Sequence, residues 1–120
     1  MFVVHTDQSI AHGGEATAPE PFTLFLASLA ACAGVYVLGF CQTRGIATDE
    51  INLVQKEEYD DKGVLSKVSI DVNVPESFPQ KYLAAVQAAA EKCAVKRAME
   101  ANPPVLVRMV QAGGKPEIRA

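Results

Sequence analysis

From Pro21 to Cys41 the sequence carries no charged residue. That length meets the crude criterion for a membrane span. The run is Ala- and Gly-rich rather than Leu/Ile-rich, Thr23 and Ser28 lie within it, and no basic cluster flags a cytoplasmic side. A secretory signal is disfavoured too, because Glu15 and Glu20 precede the run and no basic region opens the chain. The remaining solution is a soluble helix buried on all sides. A single chain of 120 residues can hardly cover such a helix alone. An all-apolar helix therefore points to burial in a dimer or larger assembly.

The rest of the chain supplies partners for it. Pro21 suits a first helical turn, and Gly45 gives the stop signal after Arg44. Gly34 and Gly39 inside the helix each cost about 1 kcal/mol relative to Ala, so a packing reason is expected for both. Phe2-Val3-Val4 reads as a short strand, and Asp7 to Pro19, with Gly13-Gly14, as a loop. Residues 51–59 read as a strand and Asp60-Asp61-Lys62-Gly63 as a turn. Val68, Ile70, Val72 and Val74 alternate with polar residues, as in a strand with one dry face, so the two strands form an antiparallel hairpin.

Ser77 and Gln80 have capping-box spacing ahead of a second helix, which has an expected break near Cys93 and resumes as far as Ala101. Asn102-Pro103-Pro104 ends it, residues 105–110 form a last strand, and Gly113-Gly114 leads into a tail. With no repeat and no linker, the whole of 1–120 is expected to be one α+β domain, helices packed on an antiparallel sheet.

Charge and cysteine usage narrow the function. Eleven basic against fourteen acidic residues give a net charge of −3, which disfavours nucleic-acid binding. Three cysteines suit a reducing cytoplasm rather than a disulfide framework. His5, His12 and the cysteines lack zinc-ligand spacing, so no metal or cofactor is expected. Ser28 has no visible base for a hydrolase. The acidic run Glu57, Glu58, Asp60, Asp61 reads as a solvated turn. Cys32 and Cys93 lie on apolar helical faces, where a free cysteine commonly packs as a small hydrophobe. Cys41 points away from Cys32 on the same helix and is expected to be a plain core residue.

The stretch His12-Gly13-Gly14 followed by ATAPEPFTLFLASLAAC, with Cys32 eleven residues after Pro21, resembles the OsmC/Ohr family of thiol-dependent peroxidases. AAAEKCAVKRAMEANPPVLVRMV resembles that family's second-cysteine helix and final strand. The resemblance implies an intertwined homodimer with the Cys32 helix at its centre and N-terminal strands shortened relative to the family. It also implies that Cys32 is the peroxidatic thiol for an organic hydroperoxide, that Cys93 resolves it, and that an external dithiol reduces the pair.

Active members hold the thiolate with an N-terminal arginine and a glutamate just after the proline. Here no arginine precedes Arg44, and Phe22 and Thr23 follow Pro21. A thiol buried among apolar groups is hard to ionise, and Cys32 lies too deep in its helix for the N-terminal dipole to act. A charged group is therefore expected from elsewhere: Arg97, one turn after Cys93, leads, with His12, Glu20 and His5 as further candidates. Two alternatives stand beside the peroxidase: an OsmC-like binder of apolar small molecules or thiol sensor, and a structural dimer module with inert cysteines.

Overall fold

The computed structural model describes residues 1–113 and 117–119. The long helix α1 spans Pro21–Thr43, with Pro21 in its first turn. Its C-terminus closes as a Schellman motif. Gly45 takes the left-handed conformation at φ 67°, and the Ile46 and Gly45 amides donate to the Cys41 and Gln42 carbonyls at 2.9 and 3.3 Å. The Arg44 side chain donates to the Phe40 carbonyl at 3.1 Å and lies 3.7 Å over the Phe40 ring. A cation is thus placed where the helix dipole is negative.

Strands β1 (Asn52–Tyr59) and β2 (Leu65–Asn73) pair antiparallel, with Gln55 opposite Ile70 and Leu53 opposite Val72. Asp60 organises the turn, accepting from the amides of Lys62 and Val64 at 2.9 Å each. The hairpin lies against α1, tied by Gln55 Nε2 donating to the Leu26 carbonyl at 2.9 Å. A Cβ on Gly34 would make only ordinary contact with Leu53, and one on Gly39 would meet nothing in this chain.

A short 3-10 turn (Gln80–Tyr82) leads into helix α2, Leu83–Glu91. The Ser77 capping box does not form. Pro79, with no side-chain capping bond, precedes the 3-10 turn instead, because Pro79 fixes the backbone one residue before Gln80. The chain breaks at Lys92 and Cys93 and restarts as helix α3, Ala94–Glu100. Both α2 and α3 pack on α1.

The final hairpin is β3 (Val107–Met109) with β4 (Glu117–Arg119), antiparallel. The last strand is thus shorter than the 105–110 expected, and it pairs with residues beyond Gly113 rather than leading only into a tail. Gly114 itself lies outside the described residues. Phe2-Val3-Val4 forms no strand, and Phe2 is fully exposed. A single stretch of extended backbone has no ladder without a neighbour.

Every fourth or third residue of one α1 stripe is buried: Leu26, Leu29, Ala33, Val37 and Cys41. Val37, Cys41, Phe78 and Val86 form the core proper, at the C-terminal half of α1. The opposite stripe is open, with Val35 and Leu38 exposed, and Phe22, one turn before Leu26 on the packed stripe, is exposed at the start of the helix. The Cα radius of gyration is 18.9 Å, against about 14 Å for a compact domain of this length. The architecture is α+β, as expected, with its apolar surface far from fully covered by its own chain.

Candidate functional site

Cys32 sits mid-way along α1, half-buried. Cys93 sits at the break between α2 and α3 as the residue capping α3, with φ −46° and ψ 126°. That extended conformation turns its side chain inward, where it is 2% exposed. Its Sγ approaches the Leu29 carbonyl at 3.9 Å, one turn before Cys32. The two thiols are free and near enough for each to shift the other's proton affinity.

Their environments push them apart. The Cys32 sulfur receives the backbone N–H of Val95, the Cys93 thiol and the N–H of Ala94, which together lower its pKa despite partial desolvation. Burial pushes Cys93 up, and donation to the Cys32 sulfur adds to that. One thiol is therefore the readier anion and the other remains a proton donor. A protonated neighbour stabilises a thiolate, and a buried thiol resists ionisation.

The donors at Cys32 are main-chain groups. The first amides of a helix have no intrahelical acceptor, and here they meet a sulfur. No cationic side chain acts on Cys32 among the described residues. Arg97 is exposed on α3, its amide bonded to the Cys93 carbonyl at 3.0 Å, and the structure does not bring its side chain to Cys32. The backbone donors escaped sequence analysis. Their signal was the helix break beside Cys93, which places fresh N–H groups next to that cysteine.

Glu20 and His12 lie together at the other end of α1. His12 Nδ1 is 3.3 Å from both Glu20 carboxylate oxygens and 3.1 Å from Ser9 Oγ. Ser9 first, then His12, lowers the Glu20 pKa. Twelve residues of helix separate Glu20 from Cys32, about 18 Å along the axis, so neither group touches Cys32 within one chain. His5 is exposed in the extended N-terminal segment. Cys41 is fully buried in the core, and desolvation raises its pKa.

A groove of about 1300 Å³ runs between β2 and the α2–α3 pair, lined by Leu29, Val68, Ile70, Val86 and Cys93 among others. Cys32 is not on its wall. The exposed side of Cys32 belongs instead to the open face of α1, near Val35 and Tyr36. Among the described residues no cluster of three or more His, Cys, Asp or Glu side chains could hold a metal ion.

Comparison with known proteins places this arrangement. A sequence model described as OsmC-like protein matches residues 13–108. No curated protein matches the chain. A Psychrobacter arcticus 273-4 structure, described as an osmotic stress induced and detoxification response protein, superposes with a TM-score of 0.67 at 20% identity, covering 79% of this chain and 70% of that one. A Legionella pneumophila structure, described as an organic hydroperoxide resistance protein OsmC, redox protein and regulator of sulfide bond formation, gives 0.52 at 21% identity, covering 82% and 74%. The matched span includes both thiols and the helix break that joins them, so the chain belongs to the OsmC-like protein family.

Proposed function

We propose that this protein reduces organic hydroperoxides through Cys32 and Cys93. The observation that carries the reading is that the free Cys93 thiol reaches the Leu29 turn of α1, next to the free Cys32, in surroundings that favour a thiolate at Cys32 and a thiol at Cys93. The Cys32 thiolate attacks the terminal peroxide oxygen and the O–O bond breaks. The alkoxide leaves, takes a proton and departs as the alcohol, and Cys32 becomes a sulfenic acid. The Cys93 sulfur then attacks the Cys32 sulfur, hydroxide leaves as water with the Cys93 proton, and a disulfide forms. An external dithiol returns both thiols by exchange.

Family membership and the naming of the Legionella structure support a peroxide-related redox role. The open apolar face of α1 supports an intertwined homodimer, in which a second copy covers Val35 and Leu38 and walls in the exposed side of Cys32. We place the protein in the cytoplasm, where three free thiols persist, acting without a bound cofactor, nucleic acid or membrane.

The test follows consumption of cumene hydroperoxide with a dithiol. Cys32→Ser abolishes turnover, Cys93→Ser stops it after the sulfenic acid forms, and Cys41→Ser leaves it intact. Equal, negligible rates for all of them and for the parent protein reject the catalysis. A second reading rests on the groove. Its apolar walls and its separation from Cys32 suit a binder of apolar small molecules, which predicts ligand retention and no sulfenic acid after peroxide exposure.

A further inference from the structure

Away from the thiols, a cavity of about 610 Å³ opens at the C-terminal end of α1, between residues 44–50 and the 75–82 segment ahead of α2. Arg44 follows Cys32 by twelve residues, about 18 Å along the axis. Two cations line the cavity, Arg44 and Lys81, and they lie 5.7 and 5.0 Å from the centre of the Tyr82 ring. The guanidinium is also stacked 3.7 Å over Phe40, and Nη1 donates to the Phe40 carbonyl. Stacking and that bond fix its plane, and its other N–H donors are left for a ligand. Among the described residues neither cation forms an ion pair, nor do Asp49 and Glu50, which line the same cavity. Ser77, whose capping bond does not form, lines it too.

We propose that this cavity binds a small zwitterion, an apolar amino acid or dipeptide with both termini free. Arg44 presents a planar fork that fits a carboxylate. Its charge is partly offset by the negative end of α1, so Lys81 supplies the surplus that an anion needs. Asp49 and Glu50 accept from an ammonium, and they repel a ligand that carries negative charge alone. Ile46 and the Tyr82 ring give the apolar side chain its contact, and the volume is that of a small-molecule site. A guanidinium already held by Phe40 loses little freedom when the ligand arrives.

Isothermal titration calorimetry of the full-length protein with L-phenylalanine and with L-phenylalanyl-L-alanine decides the matter. Binding of either supports the proposal, and the tighter of the two names the source. N-acetyl-L-phenylalanine lacks the ammonium and L-phenylalaninamide lacks the carboxylate, and each is expected to bind about tenfold or more weaker. Arg44→Gln and Lys81→Gln are expected to lose affinity to a similar extent. Lys81 is exposed, so its variant serves if Arg44→Gln does not fold. Arg97 is exposed on α3 and outside the cavity, so Arg97→Gln binds as the parent does. The proposal fails if neither zwitterion binds, if either blocked analogue binds as tightly as the zwitterions, or if Arg97→Gln weakens binding as much as Lys81→Gln. The thiols take no part, so an inactive peroxidase leaves the outcome unaffected.

Discussion

Cys93, 61 residues beyond Cys32 in sequence, sets its sulfur 3.9 Å from the Leu29 carbonyl, one turn before Cys32, and the two thiols move each other's proton affinities in opposite directions. The thiol on the continuous helix is the easier one to ionise, although it lies about three turns from that helix's own N-terminus. What favours its anion is the start of a different helix.

Alkylation kinetics should show the asymmetry. Iodoacetamide reacts with thiolates, so Cys32 is expected to label about tenfold or more faster than Cys93 or Cys41 at pH 7. The sign follows from a lowered native pKa. The native preference for the anion is fully present above the unfolded thiol pKa and is lost as pH falls through the native Cys32 value. Peptide mass spectrometry of protein labelled across a pH series reads the profile. Equal labelling of Cys32 and Cys93 would contradict the arrangement of donors.

Replacing Arg97 should matter little to that profile, and removing an amide should matter more. Arg97→Gln is expected to leave the Cys32 labelling rate within about twofold, since surface charges away from a site act weakly. Ala94→Pro deletes one N–H at the first position of α3, where proline is tolerated, and the ψ of 126° at Cys93 suits the residue before a proline. Below the thiol's pKa, the rate is expected to fall by about twofold or more, because a sulfur with one donor fewer is less often a thiolate. Circular dichroism confirms that α3 persists.

Much of this architecture was legible because local signals agreed with one another. Pro21, Gly45 and the uncharged run between them bound α1 closely, and the alternation from Val68 to Val74 marked β2. The helix break at Cys93 was legible too, but not its consequence, because backbone donors leave no mark on side-chain chemistry. Side-chain chemistry alone therefore points to Arg97, Glu20 and His12 as the charge at Cys32, and none of them meets it in this chain. The strand expected at Phe2-Val3-Val4 failed for a different reason. Its composition suits a ladder, yet pairing depends on a distant neighbour that periodicity does not reveal.

The open stripe of α1 makes a specific demand on solution behaviour. Val35 is 66% exposed on a helix whose opposite stripe is fully packed. If a second copy covers it, Val35→Glu buries an unpaired charge at the contact and drives the assembly apart. Sedimentation velocity is expected to show a dimer for the parent protein and a monomer for the variant at equal concentration. A parent protein that sediments as a monomer would remove the dimer from the proposal.

The core around Cys41 sets the stability of the helix pair. Phe78, 5% exposed, is wedged against Val37, Cys41 and Val86 from the loop ahead of α2. Phe78→Ala is expected to cost about 3–5 kcal/mol, read as a lowered urea midpoint. Because α2 carries the chain into the Cys93 break, the same variant should label Cys93 faster with iodoacetamide at neutral pH. Unchanged Cys93 labelling in a destabilised variant would show that the break is held by α3 alone.

Asp7 provides the last prediction, at the loop that leads into α1. Its carboxylate accepts from the Thr17 hydroxyl at 2.8 Å, the Thr17 amide at 3.1 Å, the Gln8 amide at 2.8 Å and the Glu15 amide at 3.2 Å. The Thr17 amide leads in lowering its pKa from 3.8 to about 2. Gly14 is part of the same fold-back, since a Cβ there would collide with the Gln8 carbonyl. A depressed carboxylate stabilises the folded loop above its ordinary pKa, and that contribution is lost as pH falls from about 4 towards 2. NMR titration of the Glu15 and Thr17 amide shifts should give a shared midpoint near the lowered value, absent in Asp7→Asn. A midpoint near 3.8, the ordinary aspartate value, would mean that the carboxylate does not organise this loop.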